Sequence, residues 1–324
     1  MYKKKRKVKK KVIFLGIGVI LFIVLIIVAI NLYAHFTSNE YKLEQIGYNE
    51  KEITDILELD NKYISYALEN EYDNDLIPLT SEKWFIWDKY RNYKNYIKNL
   101  EEQPTTDKID YEDIITKVNT KTNYKYYTHT TETNMDLGNA ILVNKYYSLP
   151  EQYAPDDIVD VPTTYAFEGI QAKKEVYEAF KEMADAAKED GITLIINSGY
   201  RTYEYQKNVY DQYKSANGQE YADSYAARPD FSEHQSGLAL DIVTYGITMD
   251  NFEDSDTYKW LINNCTDYGF ILRYPKGKEE ITGYAYESWH YRYLGKELAK
   301  KVEKSGLTFD EYYAYYLDKE WYYE

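Results

Sequence analysis

Between Val12 and Ala34 the chain carries no charged side chain, and the residues just before it are almost all basic. That boundary limits the fold more than any other feature. A helix rising about 1.5 Å per residue over this stretch crosses a hydrocarbon core of about 30 Å. Lys3, Lys4, Lys5, Arg6, Lys7, Lys9, Lys10 and Lys11 precede it, and the first acidic residue is Glu40. This charge asymmetry predicts a cytoplasmic basic tail over residues 1–11, a single-pass transmembrane helix over 12–34 and an extracellular remainder. A cleaved signal peptide has a shorter apolar core and small residues at the cut, so a retained anchor is the better reading. The run Lys3 to Val8 also has the composition of a nuclear import signal. Abutting an apolar span, it reads as a topology determinant.

The other 290 or so residues form an acidic body. The formal net charge is −15, from 39 basic and 54 acidic residues; with the eight basic residues above set aside, 31 remain against 54, a net of −23. Nucleic-acid binding requires a basic surface, so that class is excluded. Tyrosine is unusually frequent at 40 residues. Such an excess suits a surface that touches carbohydrate or peptide, and codon bias produces it equally well. Cys265 is the single cysteine, so no disulfide forms within the chain. It sits in a helical pattern and reads as a small core residue, with a Cys–His nucleophile as the sharper alternative.

Residues 35–137 read as an extracellular helical spacer or accessory region. Asn49 is placed to cap a helix carrying Ile53, Ile56 and Leu57, Asp60 to cap the next with Ile64 and Ala67 inward, and Asp110–Val118 is a further amphipathic turn. Ser81–Leu100 is aromatic-rich, and Glu101–Asp107 is a break. From about residue 138 the texture changes. Ala140–Val143, Gly191–Asn197, Leu238–Val243 and Ser288–Tyr293 read as strands. Residues 171–190, the segment after Arg201 through Tyr213, and 254–266 read as helices; 221–236 reads as loop. Without a regular βαβ repeat this is an α+β domain over 138–306, with an aromatic tail over 307–324.

Two segments of that domain carry chemistry: Ser232-Glu-His-Gln-Ser-Gly-Leu-Ala-Leu-Asp241 and Glu287-Ser-Trp-His-Tyr-Arg-Tyr293. They hold two of the chain's four histidines. His234, Asp241 and His290 make a three-ligand metal set with one position open, and two nitrogens with one carboxylate oxygen suit zinc. Gly237 permits a bend that turns the His234 imidazole back over the strand bearing Asp241. Glu287 stands beside the set as a base, since ligation by it would close the open position. His35 and His129 read as structural.

These segments, with Ser198-Gly-Tyr-Arg201 and Leu272-Arg-Tyr-Pro-Lys-Gly-Lys278, resemble the VanY-type D-alanyl-D-alanine carboxypeptidases, zinc peptidases of the LAS group (lysostaphin-type, D-Ala-D-Ala, sonic hedgehog), over about residues 138–297. The resemblance implies an α+β fold, one catalytic Zn2+ per chain held by His234, Asp241 and His290, Glu287 as catalytic base, and Arg201 as the arginine that binds substrate and transition state. It further implies contacts to the terminal D-amino acid from Gln206 and Tyr274, with help from Ser224 and Ser232. The chain departs from the family where Pro229-Asp230 replaces Pro-Gly, Ser288 a proline and Ser236 a threonine; none touches a ligand. The implied activity is removal of the terminal D-alanine from peptidoglycan stem peptides, as a DD- or LD-carboxypeptidase. An endopeptidase of the same fold and a non-catalytic wall binder or sensor are the alternatives.

Overall fold

The computed structural model describes residues 2–103 and 108–318, with side chains described from Phe14 onward. Part of the break read over 101–107 and the end of the aromatic tail, 319–324, lie outside these residues. The chain divides into two compact units, Met1–Phe85 and Ile86–Glu324, so the boundary expected at 137/138 falls inside the second.

In the first unit, helix α1 spans Tyr2–Thr37. Its Phe14–Thr37 portion has a mean hydropathy of 3.1 and none of it is buried, which makes it long and apolar enough to cross a membrane. Helices α2 (Asn39–Ile46), α3 (Glu50–Leu57) and α4 (Asn61–Glu69) follow. The α3 start is a capping box: Asn49 accepts from the Lys51 and Glu52 amides while Glu52 accepts from the Asn49 amide. Asp60 precedes α4 as expected but makes no side-chain capping bond. Leu43, Ile56, Ala67, Leu76 and Leu79 are fully buried.

The second unit opens with α5 (Tyr90–Glu101) and α6 (Tyr111–Asn119), the latter capped by Asp110, which accepts from the Asp113 amide. Its centre is a four-stranded antiparallel sheet of β1 (Ile195–Ser198), β2 (Ala239–Val243), β3 (Phe270–Tyr274) and β4 (Glu287–Tyr293), in the order β1-β2-β4-β3. Helix α7 (Lys174–Glu189) buries Val176, Phe180 and Met183 in the same core as Ile195, Leu240 and Phe270. The unit also contains helices α8 (Tyr203–Asn217), α9 (Gln219–Tyr225), α10 (Asp256–Asn264) and α11 (Lys296–Ser305).

Three expectations are corrected. Ala140–Val143 is not a strand. A 3-10 turn ends at Ala140, and Ile141, Leu142 and Val143 are buried without ladder pairing; the Asn139 and Ile141 carbonyls accept instead from the Arg292 guanidinium at 3.0 and 2.7 Å. The loop expected over 221–236 begins as the end of α9, where Ala222 is buried. The tail expected from 307 is packed over its described part: Phe309–Tyr312 forms a helical turn with a Thr308–Glu311 capping box, and Phe309 is buried.

Candidate metal site

The sheet register assembles the site. Asp241 pairs with Ser198 on one side and with His290 on the other, and directly opposed residues of an antiparallel sheet share a face. His234 arrives from the segment before β2, through successive tight turns in which Gln235, Ser236 and Gly237 donate to Ser232, Glu233 and His234 carbonyls. Gly237 has φ +75, the left-handed conformation its bend requires, and a Cβ there would stand 3.1 Å from Lys173 Cβ. One donor atom from each of His234, Asp241 and His290 lies within 4.8 Å of the others, and all three residues are buried.

The two histidines face this point through different nitrogens. His234 donates from Nδ1 to the Gly199 carbonyl at 2.8 Å, leaving Nε2 3.4 Å from Asp241 Oδ1. His290 Nε2 lies 3.2 Å from Glu233 Oε2, leaving Nδ1 3.2 Å from the same Asp241 oxygen. That oxygen is buried and has no hydrogen-bond partner, while Asp241 Oδ2 accepts from Arg201 at 3.1 Å. A buried carboxylate oxygen without a bond, between two imidazoles, is the donor chemistry of a zinc site with a free position.

Electrostatics ready Asp241 and His234 for a metal and leave His290 to be deprotonated by it. Burial opposes ionisation of Asp241, yet His234, His290 and Arg201 hold its carboxyl well below the usual range. Burial, followed by the Arg201 charge, lowers His234 and favours its neutral, ligating form. Burial works against a charged His290, but its contacts with Asp241 and Glu233 outweigh this and lift it to about 9, so a metal has a proton to displace.

Glu287 pairs with Tyr274 across β4 and β3, where the register shifts: from Leu272 to Tyr274 on β3 the partners run from Tyr291 to Glu287. In a regular strand positions 287 and 290 face opposite ways. At this irregularity Glu287 Oε2 comes 3.6 Å from His290 Nδ1. Burial, opposed by the His290 charge and assisted by Asp241, raises its carboxyl to about 7.

A cavity of 220 Å3 opens over these groups, and Arg201, Gln206, Ser232, Tyr274 and Glu287 all line it. Arg201 donates to Ser198 Oγ at 2.9 Å and to Gln206 Oε1 at 3.4 Å, and Gln206 donates to the Ala227 carbonyl at 2.8 Å. The Tyr274 ring lies 4.8 Å from that of His290. Ser224 is not among the described lining residues; its hydroxyl donates to the Glu220 carbonyl within α9. The sequence reading passed over Trp289 and Tyr284, which line the cavity. It also passed over Glu233, although that carboxylate adjoins a proposed ligand in sequence.

A family model for D-alanyl-D-alanine carboxypeptidases, VanY, matches residues 169–296. YodJ of Bacillus subtilis (strain 168) is 44% identical over 182 residues, which are 53% of this chain and 66% of YodJ. The bifunctional D-Ala-D-Ala dipeptidase and D-Ala-D-Ala carboxypeptidase VanXYC of Enterococcus gallinarum is 32% identical over 54% of this chain and 93% of its own length. The chain belongs to the VanY family. Among solved structures, the LdcB LD-carboxypeptidase is 43% identical with a TM-score of 0.51, over 54% of this chain and 85% of LdcB. The chain thus spans about two thirds of YodJ's length, and residues 1–168 and 297–324 lie outside the VanY match.

Asp230, noted above as a departure from the resemblance, takes a left-handed φ of 66. Its amide donates to Gln235 Oε1 at 2.8 Å, and its Oδ1 accepts from Gln235 Nε2 at 2.8 Å and from the Gln152 amide at 3.0 Å. Aspartate is among the few residues that visit this conformation routinely, because its short side chain bonds locally.

Proposed function

We propose that this protein is a zinc carboxypeptidase, held at the membrane by α1 with its second unit outside the cell, that removes the terminal D-alanine from peptidoglycan stem peptides. The observation that carries this reading is the convergence of His234 Nε2 and His290 Nδ1 on one buried Asp241 oxygen that no hydrogen bond satisfies, with Glu287 alongside. A zinc ion at these donors would supply the Lewis acidity that polarises a scissile carbonyl and acidifies water.

The chain's own residues do the rest. Glu287, with its carboxyl raised to about 7, takes the proton of the attacking water and returns it to the departing D-alanine amine. Arg201, fixed by Ser198 and Asp241 but still facing the cavity, offers guanidinium donors to the free carboxylate of the chain end or to the oxyanion. Gln206 and Tyr274 shape the pocket for the terminal residue, and Ser232 contributes a hydroxyl to its wall.

The test is to incubate the zinc-loaded chain with penta- and tetrapeptide stems and weigh the products. Loss of a single alanine supports the proposal, and the stem that loses it assigns DD or LD preference. Larger fragments would make the protein an endopeptidase, and unchanged stems a binder.

A further inference from the structure

Behind the metal-site residues lies a second cluster, fully enclosed, that the proposed reaction does not use. Glu233 Oε1 accepts from Arg273 Nε and from Arg292 at 2.8 Å each, and Glu233 Oε2 faces His290 Nε2 at 3.2 Å. Arg273 spends its remaining nitrogens on Asp310, at 2.5 and 3.2 Å. The side chains of Glu233, Arg273 and Arg292 are 0% exposed and that of Asp310 is 1%. The charges of two guanidiniums and two carboxylates cancel, and every guanidinium nitrogen makes at least one hydrogen bond.

The two imidazoles are held by different means. His234 is oriented by a backbone carbonyl. His290 is oriented by a side chain, and a carboxylate can orient a ring only if it is itself immobile. Arg292 anchors one side of Glu233 and is tied to the Asn139, Ile141 and Tyr293 carbonyls. Arg273 anchors it too and is tied to Asp310, which Asn144 also grips at 2.8 Å. Asp310 belongs to the capped turn Phe309–Tyr312, beyond the end of the family match at 296.

We propose that Glu233 is a positioning residue that turns Nδ1 of His290 toward Asp241 and His234, and that Asp310 holds Glu233 in place through Arg273. This rests on the zinc reading above. A purely structural cluster would stabilise the fold and leave the ring's orientation and the metal affinity untouched.

The experiment uses the full chain in detergent micelles, labelled with 15N at its four histidines. Nitrogen shifts are read with and without zinc, and zinc affinity is measured by competition with a chromogenic chelator. The expected wild-type pattern is a protonated, hydrogen-bonded His290 Nε2 with zinc on Nδ1, and the opposite assignment for His234. Glu233→Gln should bind zinc about 10- to 100-fold more weakly. Asp310→Asn should bind it several-fold more weakly, with a fold that circular dichroism finds intact. Zinc on His290 Nε2, or folded variants with wild-type zinc affinity, would overturn the proposal. Should Glu233→Gln not fold, the wild-type nitrogen shifts and Asp310→Asn decide. A wild-type chain that takes up no zinc defeats the zinc reading, while the His290 Nε2 proton still reports the ring's orientation.

Discussion

Two groups of buried charges lie back to back in the second unit, and they are satisfied to different degrees. Around Asp241, two imidazoles and an arginine converge on a carboxylate, yet one of its oxygens has no hydrogen bond. Around Glu233, two arginines and two carboxylates cancel, and both carboxylates and both guanidiniums are bonded. A buried polar group without a partner costs on the order of 1–3 kcal/mol, so such groups persist where they serve chemistry. The incomplete group is built to take a ligand, and the complete one to hold still.

The sharpest way to break this contrast is to remove members of the incomplete group. His234→Ala should release zinc and abolish hydrolysis, as should stripping the metal with a chelator; a metal assay beside a product assay checks both. Glu287→Gln should retain zinc and lower kcat by about 10²- to 10⁴-fold. Undiminished turnover in that variant would remove Glu287 from the mechanism.

Variants of the complete group should act on stability as well as on zinc affinity. Asp310→Ala strips Arg273 of a buried partner and should cost about 3–5 kcal/mol, read from denaturant midpoints. A loss below about 1 kcal/mol would mean that the pair is solvated in solution.

Lys145 tests the contrast with a smaller effect. Its ammonium donates to the Asp223 and Gly283 carbonyls and lies over the Tyr126 and Tyr284 rings. Burial lowers it to about 7 from 10.5. Between those values the unfolded chain binds the extra proton, so stability rises with pH. His290, lifted to about 9, works in the opposite direction over the same range, so the test is the difference between two proteins: from pH 7 to pH 9 the wild-type melting temperature should gain relative to that of Lys145→Met, and parallel curves would acquit Lys145. The smallest effect concerns Cys265, which is buried with its thiol pushed up to about 12. Thiol alkylation of the native chain should neither label it nor change activity, whereas a Cys–His nucleophile would lose both properties at once.

The site was legible where its chemistry is local. His234 and Asp241 share one short segment, Glu287 and His290 another, and Gly237 marked the bend between ligand and strand. Glu233 was equally visible in sequence, but its meaning lies in partners 40 and 59 residues away. Arg273 sits between Leu272 and Tyr274 and Arg292 between Tyr291 and Tyr293, in strands where a charge is out of place; that was the available signal for a buried ion pair. Ala140–Val143 has the composition of a strand, but Arg292 takes two of the local carbonyls, and a side chain won over a neighbouring strand. The helix α9 was missed because its sequence is polar and tyrosine-rich, with a single buried residue, Ala222, on its inner side.

Arg273 and Asp310 stand 37 residues apart, and their pairing closes in the interior. A nascent chain that has emerged only as far as α11 therefore has Glu233 for the Nε of Arg273 but nothing for its two terminal nitrogens. Arrival of the Phe309–Tyr312 turn supplies those nitrogens with a carboxylate, so the charge balance of the interior closes only with a segment translated well after the sheet.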